Sequence, residues 1–244
     1  MEHPLDIAAA HTLGFLRALR AAPARVLEIG CGGGEVAAAL AREGYDVTGL
    51  DSDGPALARA SARGVRTIEA AWPAVLSGRF HIVAFTRSLH HLPDPHAALA
   101  AAARHAETDG VLAAEDFAFA DAEPAAVRWL AEAARALLGD MPPPGFLGAL
   151  LAAADPVDAW RAHAAEHRIH PFAVMHDAFR VHVDAVHMQD APYLYRYLLP
   201  HLPPDAHGAA LAVGLFDAEA RAIAAGRFAA VGRRLWGRVR SDAA

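Results

Sequence analysis

The stretch Arg25-Val26-Leu27-Glu28-Ile29-Gly30-Cys31-Gly32-Gly33-Gly34-Glu35 sets the frame for the whole chain. Arg25 to Ile29 has the length and apolar content of a buried strand. Gly30, Gly32 and Gly34 follow at alternate positions, where the missing Cβ lets the backbone turn sharply and approach a ligand closely. From Glu35 to Glu43 the spacing becomes helical, and the first turn of a helix carries backbone N–H groups with no intrahelical partner. Strand, glycine turn and helix in this order open a nucleotide-type α/β core.

Outward from that turn, short apolar runs alternate with alanine-rich helical ones. Asp46 to Leu50 reads as a second strand, Pro55 to Arg63 as a helix, Val65 to Glu69 as a third strand and Phe80 to Phe85 as a fourth. A helix from Pro95 to His105 and a fifth strand from Gly110 to Phe117 follow. Such alternation implies a parallel sheet with helices on both faces, which takes its ligands at the carboxyl ends of the strands. The second half has another texture. Glu123 to Leu138 is helical and is broken at Met141 to Gly145; Pro156 to His167 is a further helix. Arg180 to His187 alternates with period two, as a strand exposed on one face does, Pro192 to Leu199 is aromatic and helical, and Arg233 to Val239 closes as a strand.

The glycine turn also carries a charge signature. A dinucleotide fingerprint, G-x-G-x-x-G, needs glycine at position 35, where this chain has Glu35, a carboxylate that repels pyrophosphate. Glu28, two residues before the first glycine, favours a cationic ligand over an anionic one. Asp51 lies 21 residues after Gly30 at the end of the second strand, where a carboxylate accepts hydrogen bonds from both hydroxyls of a ribose. Together these residues describe a nucleoside that carries positive charge and no phosphate.

Composition narrows the classes further. The 244 residues hold 22 basic residues, all of them arginine, against 28 acidic ones, for a formal charge of −6. That balance argues against nucleic-acid binding, whose affinity comes mainly from cations neutralising phosphates. One cysteine, Cys31, excludes an internal disulfide framework and fits a reducing compartment. Met1 to Leu13 lacks the pattern of a secretion signal, and Met141 to Ala154, the longest uncharged apolar stretch, is too short to span a bilayer. A soluble cytoplasmic protein without a membrane partner, monomeric or homodimeric, is expected.

The run VLEIGCGGGEVAAAL, with GYDVTGLDSD after it and FHIVAFTRSLHHLPDPHAAL later, resembles class I S-adenosylmethionine-dependent methyltransferases. It is most similar to the small-molecule group with a His-His pair after the fourth strand. The resemblance covers about residues 25 to 120 and implies a Rossmann-like, doubly wound sheet of seven mostly parallel strands, the seventh antiparallel, with helices on both faces and a helical cap. Arg180 to His187 and Arg233 to Val239 would be strands six and seven. Residues 1–120 would form the S-adenosylmethionine-binding core, and 121–244 the cap and substrate-binding segments interwoven with the last strands.

By that resemblance Glu28 and the turn Gly30-Cys31-Gly32 hold the methionine part of the cofactor, Asp51 the ribose, and Ser52 lies beside the adenine. The acidic residue that often follows strand three is absent or shifted in Glu69-Ala70-Ala71-Trp72, so the backbone around Ala71 and the Trp72 ring would meet the adenine. Thr86, Arg87 and Ser88 would pass the sulfonium, and His91 would point towards the methyl group or the cofactor carboxylate. The reaction implied is in-line methyl transfer to an oxygen, nitrogen or carbon nucleophile of a small molecule, with S-adenosylhomocysteine as product. His91, Asp116 and His90 are the candidate catalytic residues, each placed after a strand's carboxyl end. For each a plainer role stands alongside: packing against the cofactor for His91, structural support for His90, a turn cap for Asp116. Cys31 reads as a small apolar filler under the cofactor. Arg87 reads as a contact to an anionic substrate group or, more plainly, as a solvated or ion-paired arginine. Trp129, Tyr193, Tyr195 and Tyr197 are candidates to cover a substrate, although tyrosines two apart on a helix cannot all face one pocket. His11 is a candidate to fold over the cofactor.

Two alternatives remain. One is a cofactor-binding interaction module without catalysis. The other is a zinc-binding hydrolase, because His163-Ala164-Ala165-Glu166-His167 matches the H-x-x-E-H arrangement that sets two histidines on one helical face. No metal site is expected in the main reading.

Overall fold

The computed structural model describes residues 3–139 and 143–240. In chain order the elements are α1 (Pro4–Leu19), β1 (Arg25–Ile29), α2 (Glu35–Arg42), β2 (Asp46–Asp51), α3 (Gly54–Ala62), β3 (Arg66–Glu69), β4 (Phe80–Thr86), α4 (Pro95–His105) and β5 (Ala106–Phe117). Then come α5 (Pro124–Leu138), α6 (Phe146–Ala152), α7 (Pro156–Glu166), α8 (Phe172–His182), β6 (His187–Ala191), α9 (Ala206–Ala224) and β7 (Gly232–Arg238). Short 3-10 turns occupy Leu89–His91, Leu194–Tyr197 and Leu199–His201. The chain groups into two compact units, one of residues 9–116, 173–189 and 233 onward, the other of residues up to 8, 117–172 and 190–232.

The first unit is built on a seven-stranded sheet in the order β3-β2-β1-β4-β5-β7-β6. β1 to β5 are parallel, with Leu27 facing Thr48 on one side and Val83 on the other. β7 runs the other way: Val239 donates to the Gly110 carbonyl at the start of β5, while Val231, just before β7, accepts from Ala118, just after β5. The sheet is therefore mostly parallel with an antiparallel strand near its edge. Its apolar faces pack against the helices through Val26, Val47 and Ile82 of the strands, Val36 and Leu40 of α2, and Phe15 and Leu16 of α1. Glu115 on β5, buried, accepts from the Thr12 hydroxyl of α1 and pairs with Arg234 of β7 at 2.8 Å. Arg234 also donates to the His11 carbonyl and lies over the Phe15 ring. A buried ion pair needs this degree of satisfaction to offset its desolvation.

The helix starts follow local chemistry. Asp53, Asp94 and Asp155 each precede α3, α4 or α7, with a proline in the first turn, and their carboxylates accept from first-turn amides, as Asp205 does for α9. The second unit packs α5, α6, α7 and α9 around Phe119, Val127, Leu130, Leu150, Trp160 and Leu198. Trp160 stacks on Phe119 at 3.9 Å and donates its indole N–H to the Phe119 carbonyl.

Two expectations are corrected, and one long helix is added. Arg180 to His187 is not a strand: its start is the end of α8, whose buried Met175, Ala178 and Phe179 recur at helical spacing, and only Val183 bridges to Val239. The sixth strand is His187–Ala191, exposed at four of its five residues, so it has no alternation to detect. Pro192 to Leu199 forms 3-10 turns instead of an α-helix, and the 19-residue α9 was not foreseen, because its buried face is mostly alanine and glycine. The break expected at Met141 to Gly145 falls in part outside the described residues. Among the described residues no helix is long and apolar enough to cross a membrane.

Candidate active site

The site lies wholly in the sheet unit, at the carboxyl ends of β1, β2 and β4. After β1, Gly30, Gly32 and Gly34 all take positive φ, between 52° and 75°. A Cβ on Gly30 would overlap the Ser88 side chain, and one on Gly34 would come within 2.7 Å of Ala60. Glycine is required at both positions, by conformation and by space. The turn is tied to β2, with the Gly30 and Cys31 amides donating to the Leu50 carbonyl at 2.7 and 3.1 Å. Gly34 precedes α2 with no side-chain cap, in contrast to the aspartates that open α3, α4, α7 and α9.

Asp51 reaches back to this turn. Its Oδ2 accepts from the Gly32 amide at 2.8 Å and its Oδ1 from the Asp53 amide at 3.0 Å. A carboxylate offers about four acceptor positions, so two remain for a ligand. Glu28, 1% exposed, accepts from the Thr86 hydroxyl through Oε1, whereas its Oε2 has no hydrogen-bond partner. Burial pushes the Glu28 carboxyl up to about 7, opposed by the Thr86 hydrogen bond and by the charge of Arg87.

A cavity of about 310 Å³ opens here. Ile29, Gly30, Leu50, Asp51 and Ser52 line it from β1, β2 and their turns, and Ala70, Trp72, Arg87, Ser88, His91 and Leu92 complete it. Of the residues expected to hold a cofactor, Gly30, Asp51, Ser52, Trp72, Arg87 and His91 are therefore gathered on one cavity. Ala71 is exposed and lies outside the lining; Ala70 takes that place, because the chain after β3 presents alternate residues to opposite sides. Cys31 turns away from the cavity towards Gly49, and burial pushes its thiol up to about 12, as an inert filler requires. Thr86 and Glu28 stand behind the lining as a hydrogen-bonded pair, and Gly32 contributes through its bond to Asp51. Trp72 donates its indole N–H to the Ala98 carbonyl at 3.0 Å, which fixes the ring that walls the site. Ser88 donates to the Ile29 carbonyl at 2.6 Å and ties the segment after β4 to β1.

The three candidate catalytic residues also converge. Buried Asp116 receives both the Nδ1 of His90, at 2.6 Å, and the His90 backbone amide, at 3.2 Å. This two-point hold fixes the His90 ring, against which the His91 ring packs at 3.8 Å and 43°. His91 is exposed and faces the cavity. His11 directs its carbonyl to Arg234 and is not among the lining residues.

In the helical unit, Tyr193 and Tyr195 are core residues: Tyr193 stacks on Phe117 at 4.3 Å and Tyr195 is fully buried against Phe216. Trp129 packs on Phe228. His163 and His167 lie one turn apart with ring centroids at 4.1 Å, but among the described residues no three His, Cys, Asp or Glu side chains are arranged to hold a metal ion. His163 packs on Phe146, and burial lowers its pKa, as expected of an imidazole in an aromatic cluster.

The profile of a family described as a methyltransferase domain matches residues 1–172. The ubiquinone biosynthesis O-methyltransferase of Pectobacterium atrosepticum is 36% identical over 96 residues, 35% of this chain and 39% of that protein. Its counterpart in Bordetella avium is 35% identical over 88 residues, 32% of this chain and 36% of that protein. The match thus spans well under half the length of these relatives. Among solved structures, the S-adenosylmethionine-bound amino pentose methyltransferase CalS10 of Micromonospora echinaspora aligns at 30% identity and a TM-score of 0.41, covering 46% of this chain and 50% of that one.

Proposed function

The chain belongs to the methyltransferase-domain family, and from that premise we propose that it is an S-adenosylmethionine-dependent enzyme that methylates a small-molecule oxygen, nitrogen or carbon nucleophile. The observation that carries this reading is the cavity bounded by the glycine turn, Asp51 and His91, with the unpartnered oxygen of Glu28 behind it.

The residues present fit the cofactor. Glu28 has a buried oxygen in need of a donor, which an ammonium can supply. The spare acceptor positions of Asp51 suit vicinal hydroxyls, and the flat wall of Trp72 suits a base. When bound, S-adenosylmethionine supplies a methyl group activated by a sulfonium. The protein's own part is alignment, since placing a nucleophile in line removes the entropy of encounter. His91, at the edge of the cavity, is placed to take a proton from an acceptor hydroxyl or amine, and the Asp116–His90 pair holds its neighbour ring in position. Acidic Glu28 and Glu35 disfavour a pyrophosphate cofactor. Within this proposal the helical unit serves the acceptor, and the protein acts as a soluble cytoplasmic enzyme with no nucleic-acid partner.

Calorimetric titration with S-adenosylmethionine, S-adenosylhomocysteine and NAD tests the reading. Micromolar binding of the two sulfur nucleosides with none of NAD is expected. Binding of NAD, or of none of the three, refutes it.

A further inference from the structure

Arg87 carries an anomaly that the reading above leaves unused. It is a non-glycine residue at φ 66°, in the left-handed region that side chains with a Cβ avoid, and its amide is held there by the Glu115 carbonyl at 2.8 Å. This conformation puts Arg87 in the cavity wall beside Ser88 and His91. Its Nε is buried with no hydrogen-bond partner. Glu28 has the opposite charge and likewise a buried, unpartnered atom, Oε2. The two are near enough for the Arg87 charge to act on Glu28. Yet among the described residues no hydrogen bond or ion pair joins them. Two opposite charges held close but unpaired, around one glycine turn, match a ligand that brings an ammonium for one and a carboxylate for the other.

We propose that Arg87 is the carboxylate receptor of this site, acting with Glu28 to bind the zwitterionic α-amino-acid end of the cofactor. The inference rests on the S-adenosylmethionine reading and assigns its methionine carboxylate to one side chain. The guanidinium fork suits a carboxylate geometrically. The charges also balance: Glu28, Asp51 and Arg87 sum to one negative charge, while sulfonium, ammonium and carboxylate sum to one positive. A phosphate in the same place would face two carboxylates for one cation.

Three nucleosides separate the ligand groups: S-adenosylhomocysteine with both ammonium and carboxylate, its decarboxylated analogue with the ammonium alone, and methylthioadenosine with neither. Binding is measured by calorimetry on the wild-type protein, Arg87→Asn and Arg87→Lys. Asparagine tolerates the left-handed backbone, so Arg87→Asn removes the cation without adding strain. The wild type is expected to prefer S-adenosylhomocysteine over the decarboxylated analogue by about tenfold to a hundredfold, the scale of a charged hydrogen bond. Arg87→Asn should abolish that preference while methylthioadenosine binds as before, and Arg87→Lys should restore part of it. The proposal is overturned if the wild type shows no preference, if Arg87→Asn keeps it, or if Arg87→Asn weakens all three nucleosides equally. A wild type with no preference overturns the proposal whether or not either variant folds, and Arg87→Lys, which keeps the cation, carries the positive test if Arg87→Asn does not fold. Should none of the three bind the wild type, the cofactor reading itself falls.

Discussion

The two units each bury a glutamate almost completely, and they treat it in opposite ways. In the helical unit Glu219, 0% exposed, points from α9 to the turn at Tyr193–Tyr195 and accepts from three consecutive amides at 2.7 to 3.0 Å. In the sheet unit Glu28 is as deeply buried, yet one of its oxygens accepts from Thr86 and the other from nothing. Burial raises the pKa of both. The difference is in what is left over. A carboxylate whose acceptor positions are filled by backbone holds a fold together, whereas one left half-satisfied under a cavity holds interaction energy for a ligand.

The largest expected effect belongs to Glu219. Glu219→Ala strips three buried amides of their acceptor and should destabilise the protein by about 4 kcal/mol, each orphaned donor carrying its own desolvation cost. Denaturant unfolding followed by the fluorescence of Trp129 and Trp160, which sit in the same core, measures this. A loss below about 1 kcal/mol, within the range of ordinary surface substitutions, would show that the amides find water and that the carboxylate is dispensable.

Glu28 should behave the other way, and its effect depends on pH. Its folded-state pKa, about 7, lies above the 4.5 of an unperturbed carboxyl, so the folded state holds the proton more tightly than the unfolded one. The associated stability is present at and below pH 4.5 and is lost as pH rises through 7. Glu28→Gln, which cannot ionise, should match the wild type near the lower value and exceed it by about 3 kcal/mol above the upper one, from 1.36 kcal/mol per pKa unit. Unfolding curves across that range test this. A gap that stays constant with pH would mean that burial does not hold the Glu28 carboxyl above its unfolded value.

The contrast also explains what the sequence could reveal. The glycine turn and Asp51 were legible because their demands are local: positive φ selects glycine, and a strand end fixes where a carboxylate can reach. Asp-Pro pairs at 94–95 and 155–156 mark helix starts for the same reason. Glu219 was silent, because its three partners lie at least 24 positions away and any polar face of α9 would have looked alike. Arg87 was visible as a residue, but its backbone angle and unpaired Nε appear only in three dimensions. The Asp116–His90 hold spans 26 positions, so the sequence offered both residues as candidates without joining them.

Asp51 lies between the two extremes and gives the smallest effect. Its carboxylate is half-buried and already serves two amides, as a structural group does, but it also lines the cavity with acceptor positions to spare. Asp51→Asn keeps one acceptor oxygen and turns the other into a donor that faces an amide. Water can reach this site, so unfolding stability should change by less than about 1 kcal/mol. The affinity for S-adenosylhomocysteine should fall by about 1–2 kcal/mol, the worth of the hydrogen bonds a ribose loses, as titration calorimetry can measure. If stability fell more than affinity, Asp51 would belong with Glu219 as a structural clamp on the glycine turn. The ribose would then have to be held by the remaining lining groups, Ser52 foremost.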